Sequence, residues 1–181
     1  MDIYPLNFHS RGLSLIELLV VIAIAAILAF VADAAFQSTI SGTRVRTEAN
    51  NLLGDLEYAR AEAVKRGLPV TACPSTDSLS CSGGFEWNSG WIVFTDPNAN
   101  GVVDPGEVVL HLQAPVPGGN SFVLNNLVKS ITFNRNGYAI GLPAGTQLTL
   151  HDRTANPALT RCLTISMVGL LAIQRAGGTC L

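Results

Sequence analysis

Residues 11–30 read RGLSLIELLVVIAIAAILAF, and the reading of this stretch decides the fold. It is apolar for about twenty residues apart from one carboxylate, Glu17. About twenty helical residues cross the hydrocarbon core of a bilayer, but an ionised side chain within such a segment costs on the order of 3 kcal/mol. A secretory signal peptide has a shorter apolar region and a small-residue cleavage site after it. Here the run is longer, and no A-x-A end follows before the pattern turns amphipathic. A plain anchor, with Arg11 held on the cytoplasmic side as the only Lys or Arg before the run, fits the length. It leaves Glu17 unexplained.

Working outward, the helical pattern continues but becomes one-sided. Val45, Ala49, Leu52, Leu56, Ala59 and Ala63 recur at alternating spacings of four and three, which is an apolar stripe down one face. Glu48, Asp55, Glu57, Arg60, Glu62, Lys65 and Arg66 fall largely off it, with Glu62 and Arg66 placed as an i,i+4 pair. The stripe predicts a domain core over Ala49–Val64. Gly67 and Pro69 supply a stop. A helix from Leu13 to Arg66 would be roughly 80 Å long at about 1.5 Å per residue. Gly42 and Gly54 each weaken it by about 1 kcal/mol, so bending or melting is expected near Gly42.

Beyond Pro69 the period becomes two. Strands are predicted at Val70–Cys73, Gly90–Thr95, Val108–Gln113, Ser121–Leu124, Ser130–Asn134, Gln147–Asp152, Arg161–Ser166 and Leu170–Gln174, separated by turn-rich pieces such as PSTDSLSCSGG and NRNG. The expected class is α+β: a long N-terminal helix, half transmembrane and half amphipathic, packed on a β-rich, sandwich-like head. The expected divisions are residues 1–12 as a leader, 13–35 as the apolar helix, 36–67 as the amphipathic half-helix and 68–181 as the head.

The four cysteines, Cys73, Cys81, Cys162 and Cys180, stand behind a membrane segment, where an even count predicts disulfides formed outside the cytoplasm. Three connectivities are possible. Cys73–Cys81 and Cys162–Cys180 are favoured because each pair encloses a short, turn-rich loop. Zinc is a weaker reading, since no C-x-x-C is present. A net charge of −2 gives no basic surplus to attract a phosphate backbone.

RGLSLIELLVVIAIAAILA resembles the class III leader and N-terminal helix of type IV pilins and type II secretion pseudopilins. The resemblance implies cutting by a prepilin peptidase after Gly12, N-methylation of Leu13, and a Glu required for assembly at the fifth mature position, which Glu17 fills. The family usually starts its mature chain with Phe, and Leu13 departs from that mildly. The implied partner for the Glu17 carboxylate is the N-terminal amine of a neighbouring subunit. Within these proteins the head is similar to GspH/FimT-type minor subunits. SGWIVFTDPNANGVVDPGEVVLHL looks like their Trp-containing strand and Asp/Asn/Gly loop, ITFNRNGYAIG like their Phe-x-x-x-Gly strand, and CLTIS…C like their disulfide-closed end. The resemblance implies a minor type IV pilin of the bacterial inner membrane, head in the periplasm. It would be assembled with other pilins into the pilus or its initiating tip complex and serve twitching motility or adhesion. The alternative is a minor pseudopilin of a type II secretion system.

Several stretches raise other chemistries. DPNANGVVDPGE matches the spacing of a calcium loop, with Asp96, Asn98, Asn100, the Val102 carbonyl, Asp104 and Glu107 as candidate ligands around Gly101. Its flanks read as strands rather than the helices an EF-hand needs, and turn geometry alone selects the same residues. Some FimT-type subunits bind DNA through a Gly-Arg-x-Arg hairpin. Here Gly169 matches, Leu170 and Ala172 replace the arginines, and Arg161 and Arg175 lie near, so DNA is not the expected partner. His111 and His151 belong to no catalytic motif, and no small-molecule substrate or enzyme activity is expected. Trp91 is expected in the core, and Trp87, four residues earlier across a turn, is expected as an exposed subunit contact.

Overall fold

The computed structural model describes residues 14–116, 118–175 and 180, with the side chains of 29–35 and 175 left undescribed. Helix α1 runs Leu15–Arg66, with Glu17 in its first turn and Lys65 and Arg66 in its last, the charge order that a helix dipole favours. It is helical through both Gly42 and Gly54, so the helix does not melt at Gly42. Gly42 is buried instead, and a Cβ there would lie 3.0 Å from Leu159 Cδ2. Close approach to Leu159 is what this glycine provides.

The chain divides into two compact units, Met1–Ile40 and Ser41–Leu181. In the first, the described side chains from Leu15 to Leu28 are exposed on every face of the helix. Among the described residues no helix is long and apolar enough to cross a membrane; the described side chains of this apolar run span Ser14–Leu28 only.

The second unit holds the rest of α1 and two antiparallel sheets. The first sheet has the order β3-β2-β1-β5-β6, with β1 Val70–Pro74, β2 Trp91–Thr95, β3 Val109–Gln113, β5 Ile131–Phe133 and β6 Ala139–Ile140. The second has the order β4-β7-β8-β9, with β4 Ser121–Leu124, β7 Gln147–His151, β8 Arg161–Ile165 and β9 Leu171–Arg175. The strands follow the predicted ones to within a residue at most ends, and β6, two residues long, was not foreseen. The helical stripe Val45, Ala49, Leu52, Leu56, Ala59 and Ala63 is fully buried. It joins one face of each sheet in a common core, including Val70, Val93, Ile131 and Phe133 from the first and Phe122, Leu148, Leu150 and Leu163 from the second. Each such side chain contributes about 1.5–3 kcal/mol when withdrawn from water. β1 and β2 are buried on both faces, because Cys73, Ile92 and Phe94 form a second cluster against Cys81, Val103 and Val109.

Three expectations are corrected. Trp87 is fully buried in the core beside Trp91, with ring centroids 6.3 Å apart. The reason is local backbone geometry. Trp87 N–H donates to the Phe122 carbonyl at 2.7 Å, fixing this segment to β4, and the turn closed by Gly90 N–H on the Trp87 carbonyl returns both indoles to one side. Gly90 has φ 100°, and a Cβ there would sit 2.6 Å from the Gln113 carbonyl oxygen, so only glycine closes the turn. Second, Glu48 and Glu62, read as falling largely off the apolar stripe, are nevertheless buried. Third, Val64, read as the end of the core, is 54% exposed.

Candidate functional site

Gly12 and Leu13 lie outside the described residues. Glu17 is exposed in the first turn of α1, among apolar side chains that are exposed among the described residues. That position favours a carboxylate by roughly 0.3–1 kcal/mol through the helix dipole. It leaves the charge free to take a cation from another molecule.

In the head, two disulfides join Cys73 to Cys81 and Cys162 to Cys180, with Cα–Cα separations of 5.6 Å in both. The first closes a loop organised by Asp77, whose carboxylate accepts from the backbone N–H groups of Leu79 and Ser80 at 2.9 and 2.8 Å. These bonds, with the Leu79 amide foremost, hold the Asp77 carboxyl well below the usual carboxylate range.

The β2–β3 loop places the candidate calcium ligands in a different arrangement. Asp96 is fully buried. Its Oδ2 accepts from Thr71 Oγ1 at 2.7 Å and Gly101 N–H at 2.9 Å, and its Oδ1 from Asn100 N–H at 3.1 Å. Asn98 and Asn100 both turn their amide NH₂ groups onto Asp104 Oδ2, each at 2.8 Å, so their own oxygens face backbone N–H groups instead. Glu107 Oε2 accepts from Asp104 N–H at 2.9 Å. These oxygens accept turn bonds, and among the described residues no group of three or more His, Cys, Asp or Glu is set to hold a metal ion. The flanking elements are strands β2 and β3.

The hairpin between β8 and β9 carries Gly169 at φ 77°, with Met167, Val168 and Leu170 exposed around it. Arg161 is buried on β8 and donates from Nη1 to the Thr160 carbonyl at 2.7 Å; it pairs in register with Arg175 of β9. The predicted replacement of arginine by Leu170 and Ala172 therefore leaves an apolar tip, and the Arg161 guanidinium is held inside the fold.

Four sets of polar links escaped the sequence reading. Asp55 on α1 accepts from Trp91 Nε1 at 2.9 Å and faces His111 Nε2 at 3.2 Å, tying the helix to β2 and β3. The irregularity between Val93 and Phe94 pairs Val93 with His111 and Phe94 with Val109, which turns His111 toward the helix. Glu48 Oε2 accepts from Asn120 Nδ2 at 2.6 Å, while its Oε1 is buried with no partner among the described residues. Burial pushes the Glu48 carboxyl above its usual range, against the Asn120 hydrogen bond and the nearby Arg44 charge. Arg60 Nε donates to the Gly137 carbonyl at 3.0 Å. His151 Nδ1 lies 3.0 Å from Thr160 Oγ1, a link within the second sheet. Spacing along the chain does not signal the links of Asp55, Glu48 and Arg60, because each of those partners arrives from a distant element.

A single N-terminal helix, apolar all round in its first part and striped where antiparallel sheets cover it, defines the pilin class of α+β protein. The chain belongs to the GspH family, described as Type II transport protein GspH, which matches residues 48–169. Residues 7–32 match the prokaryotic N-terminal methylation motif, which points to membrane anchoring and assembly into a filament. Over 59 residues the chain is 39% identical to the type II secretion system protein H of Xanthomonas campestris, a match spanning 33% of this chain and 35% of that one. Its fold is that of the type IV minor pilin FimU of Pseudomonas aeruginosa. One crystal form gives a TM-score of 0.57 at 19% identity over 76% of this chain and 95% of that one. A second gives 0.55 at 20% identity over 75% and 99%. The family is one of structural pilins and pseudopilins.

Proposed function

We propose that this protein is a minor type IV pilin. It is inserted in the inner membrane with its head in the periplasm, cut by prepilin peptidase after Gly12, methylated on Leu13 and assembled with other pilins into the pilus or its initiating tip complex. The observation that carries this reading is Glu17, an exposed carboxylate in the first turn of an otherwise apolar helical run, within the matched methylation motif. Desolvated in a filament, that charge needs a cation, and the methylated amine of a neighbouring Leu13 is of the right sign. The β2–β3 loop acts as a turn without calcium, and neither DNA nor a small-molecule substrate is part of the role.

A second reading, a minor pseudopilin of a type II secretion system, is favoured by the partial match to a type II secretion protein H. Both use the same assembly step. Deleting the gene and measuring surface pili and protein secretion separates them: loss of pili with secretion intact is expected, and the reverse assigns the pseudopilus. Mass spectrometry of the N-terminus from cells tests the shared step. The expected species begins at methylated Leu13, and an intact Met1 overturns the proposal. Glu17→Ala is expected to leave cutting intact and prevent incorporation into filaments.

A further inference from the structure

Three parts of the chain meet α1 at the end of the head where the helix enters it. The turn Pro157–Leu159 packs on α1 at Gly42, where a Cβ would lie 3.0 Å from Leu159 Cδ2. Arg44 lies against Gly118, and Arg153 of the β7–β8 loop would stand 3.4 Å from a Gly119 Cβ, so these arginines flank the turn before β4. On the same stretch of α1 an open cleft of about 330 Å³ faces the second sheet. It is lined by Arg46, Ala49 and Asn50 of α1, Arg161 of β8 and Ile173 of β9. Arg46 and Asn50 are exposed one helical turn apart, and Arg161, 5% exposed, borders the cleft from inside the fold. Two guanidiniums and a carboxamide over an apolar floor suit an anion with several oxygens, since the planar fork of a guanidinium matches phosphate or carboxylate.

Every charge at this end counts, including those bonded to neutral groups. Arg44, Arg46, Arg153 and Arg161, with Arg175 by its register opposite Arg161, are five of the chain's eleven Lys and Arg. Among the described residues the carboxylates on the same elements are Glu48, bonded to Asn120, and Asp152, bonded to Thr154 and Asn156. Glu86, bridged to Val123, is the next along the sheet. Five cations against three carboxylates leave this end positive in a chain of net charge −2, and the cations stay in excess with Asp33, earlier on α1, counted as a fourth. Burial sharpens the contrast: Glu48 and Asp152 are buried, whereas Arg44, Arg46 and Arg153 are exposed, so the positive charge lies outermost.

The occupant follows from where the chain leads. Eleven residues separate Arg44 from Asp33, which closes the apolar run, and as helix they rise about 16 Å. The polar layer of a leaflet takes up about 5–8 Å of such a distance. Side chains on a helix lean toward its N-terminus, and arginine carries its charge on a long stem. Charges then act across about 8 Å at physiological salt. A run anchored in a bilayer therefore brings these arginines within reach of lipid phosphates. We infer that this end of the head docks on anionic phospholipid, with a lipid phosphodiester entering the cleft at Arg46, Asn50 and Arg161 and with Arg44 and Arg153 on neighbouring headgroups. A second copy of this chain would set like charges together, which repulsion disfavours. The inference rests on the assembly reading above and deepens it by naming what holds the head while the subunit waits in the membrane.

The test uses the full chain reconstituted in phosphatidylcholine vesicles with or without phosphatidylglycerol. Flotation reports insertion. Energy transfer from Trp87 and Trp91, the chain's two tryptophans and both in the head, to dansyl-labelled headgroups reports docking. The chain is expected to float with both vesicles and to show greater transfer where phosphatidylglycerol is present, the excess falling as salt rises. Each cation near an anionic surface strengthens the attraction about fivefold, so Arg46→Glu with Arg153→Glu should weaken docking at least about 25-fold and abolish the excess. Asn50→Asp, which puts a carboxylate in the cleft, should weaken it about fivefold. Lys129→Glu with Arg135→Glu, the same charge change on the β4–β5 and β5–β6 turns, should leave it unchanged. Tryptophan emission reports whether each variant folds; should the first reversal unfold the head, Arg46→Gln with Arg153→Gln replaces it. The inference is overturned by equal transfer in both vesicles, or by an excess indifferent to the Arg46 and Arg153 substitutions or to Asn50→Asp. An excess that disappears on diluting the protein in lipid shows contacts between copies and overturns it too. So does loss of the excess to millimolar inorganic phosphate at constant ionic strength, the mark of a free-anion site. Each of these with flotation intact leaves the assembly reading standing, and failure to float with either vesicle overturns both.

Discussion

Asp96→Ala separates a structural turn from an ion site in the β2–β3 loop. The substitution removes the acceptor of three hydrogen bonds, from Thr71 Oγ1, Gly101 N–H and Asn100 N–H. Thr71 keeps Thr132 Oγ1 at 2.7 Å, and Asn100 N–H keeps Asn98 Oδ1 at 3.2 Å, so Gly101 N–H loses most. Bonds to a charged acceptor are worth about 1.5–3 kcal/mol, and a buried donor left alone costs about 1–3 kcal/mol. Because the three bonds share one carboxylate they do not add fully, and the expected loss is about 3–4 kcal/mol. The assay is urea unfolding of the full chain in detergent, followed by tryptophan fluorescence, since both buried indoles report on the head alone. With a slope of about 1.5–2 kcal/mol/M, the midpoint should fall by roughly 2 M. The fall should be the same in EDTA and in millimolar calcium. The reasoning is refuted if Asp96→Ala costs less than about 1 kcal/mol in EDTA while calcium stabilises the wild type and not the variant, the signature of a ligand that binds only the folded state.

Glu48→Gln probes the buried carboxylate. A folded-state pKa above the unfolded value makes a stabilising contribution that is complete below the unfolded pKa and lost as pH rises through the folded one. The wild type should therefore lose stability as pH climbs out of the ordinary carboxylate range, while Glu48→Gln lacks this loss and is at least as stable at neutral pH; equal pH profiles in urea unfolding would contradict the burial argument. Gly90→Ala and Gly106→Ala both place an L residue at positive φ, 100° and 96°, but only the first drives Cβ against backbone, whereas nothing lies within 4 Å of the second. Gly106→Ala should cost about 1 kcal/mol and Gly90→Ala at least about 3 kcal/mol, and equal unfolding midpoints would show that the close approach to Gln113 is unimportant.

The head's helix was legible because its pattern is set by neighbours along one element. Val45, Ala49, Leu52, Leu56, Ala59 and Ala63 lie on one stripe whatever packs against it. The disulfide loops were legible for the same reason, both being closed locally. What escaped was fixed across elements. Trp87 was read by distance from Trp91 along the chain, whereas its place is set by a bond to Phe122 and by the φ of Gly90. Glu48 falls three residues after Val45, at the margin of the stripe, and whether such a residue is solvated depends on Asn120, seventy-two residues away. Val64 follows the stripe residue Ala63 and sits at the edge of the core, beside the Gly137 turn. The calcium spacing was correct as a string but silent about orientation, since a loop of Asp and Asn satisfies either a cation or its own amides.

The carboxylate that opened the question is decided by magnitudes. Ten large side chains between Leu15 and Leu28, from Leu15 at 81% to Val20 at 49%, remain exposed in the isolated chain. Fully burying such a residue is worth about 1.5–3 kcal/mol, so covering the half or more left open yields about 1 kcal/mol each and on the order of 10 kcal/mol together. Glu17 sets against this roughly 3 kcal/mol if ionised in lipid. The apolar term wins about threefold, so the charge does not keep the segment in water. It does make lipid a poorer resting place than any site offering a cation, because there the desolvated carboxylate regains its partner while the apolar side chains stay covered. Under the proposed function, an anchor built this way would be held strongly enough to wait in a membrane and biased toward leaving it for a neighbour's amine.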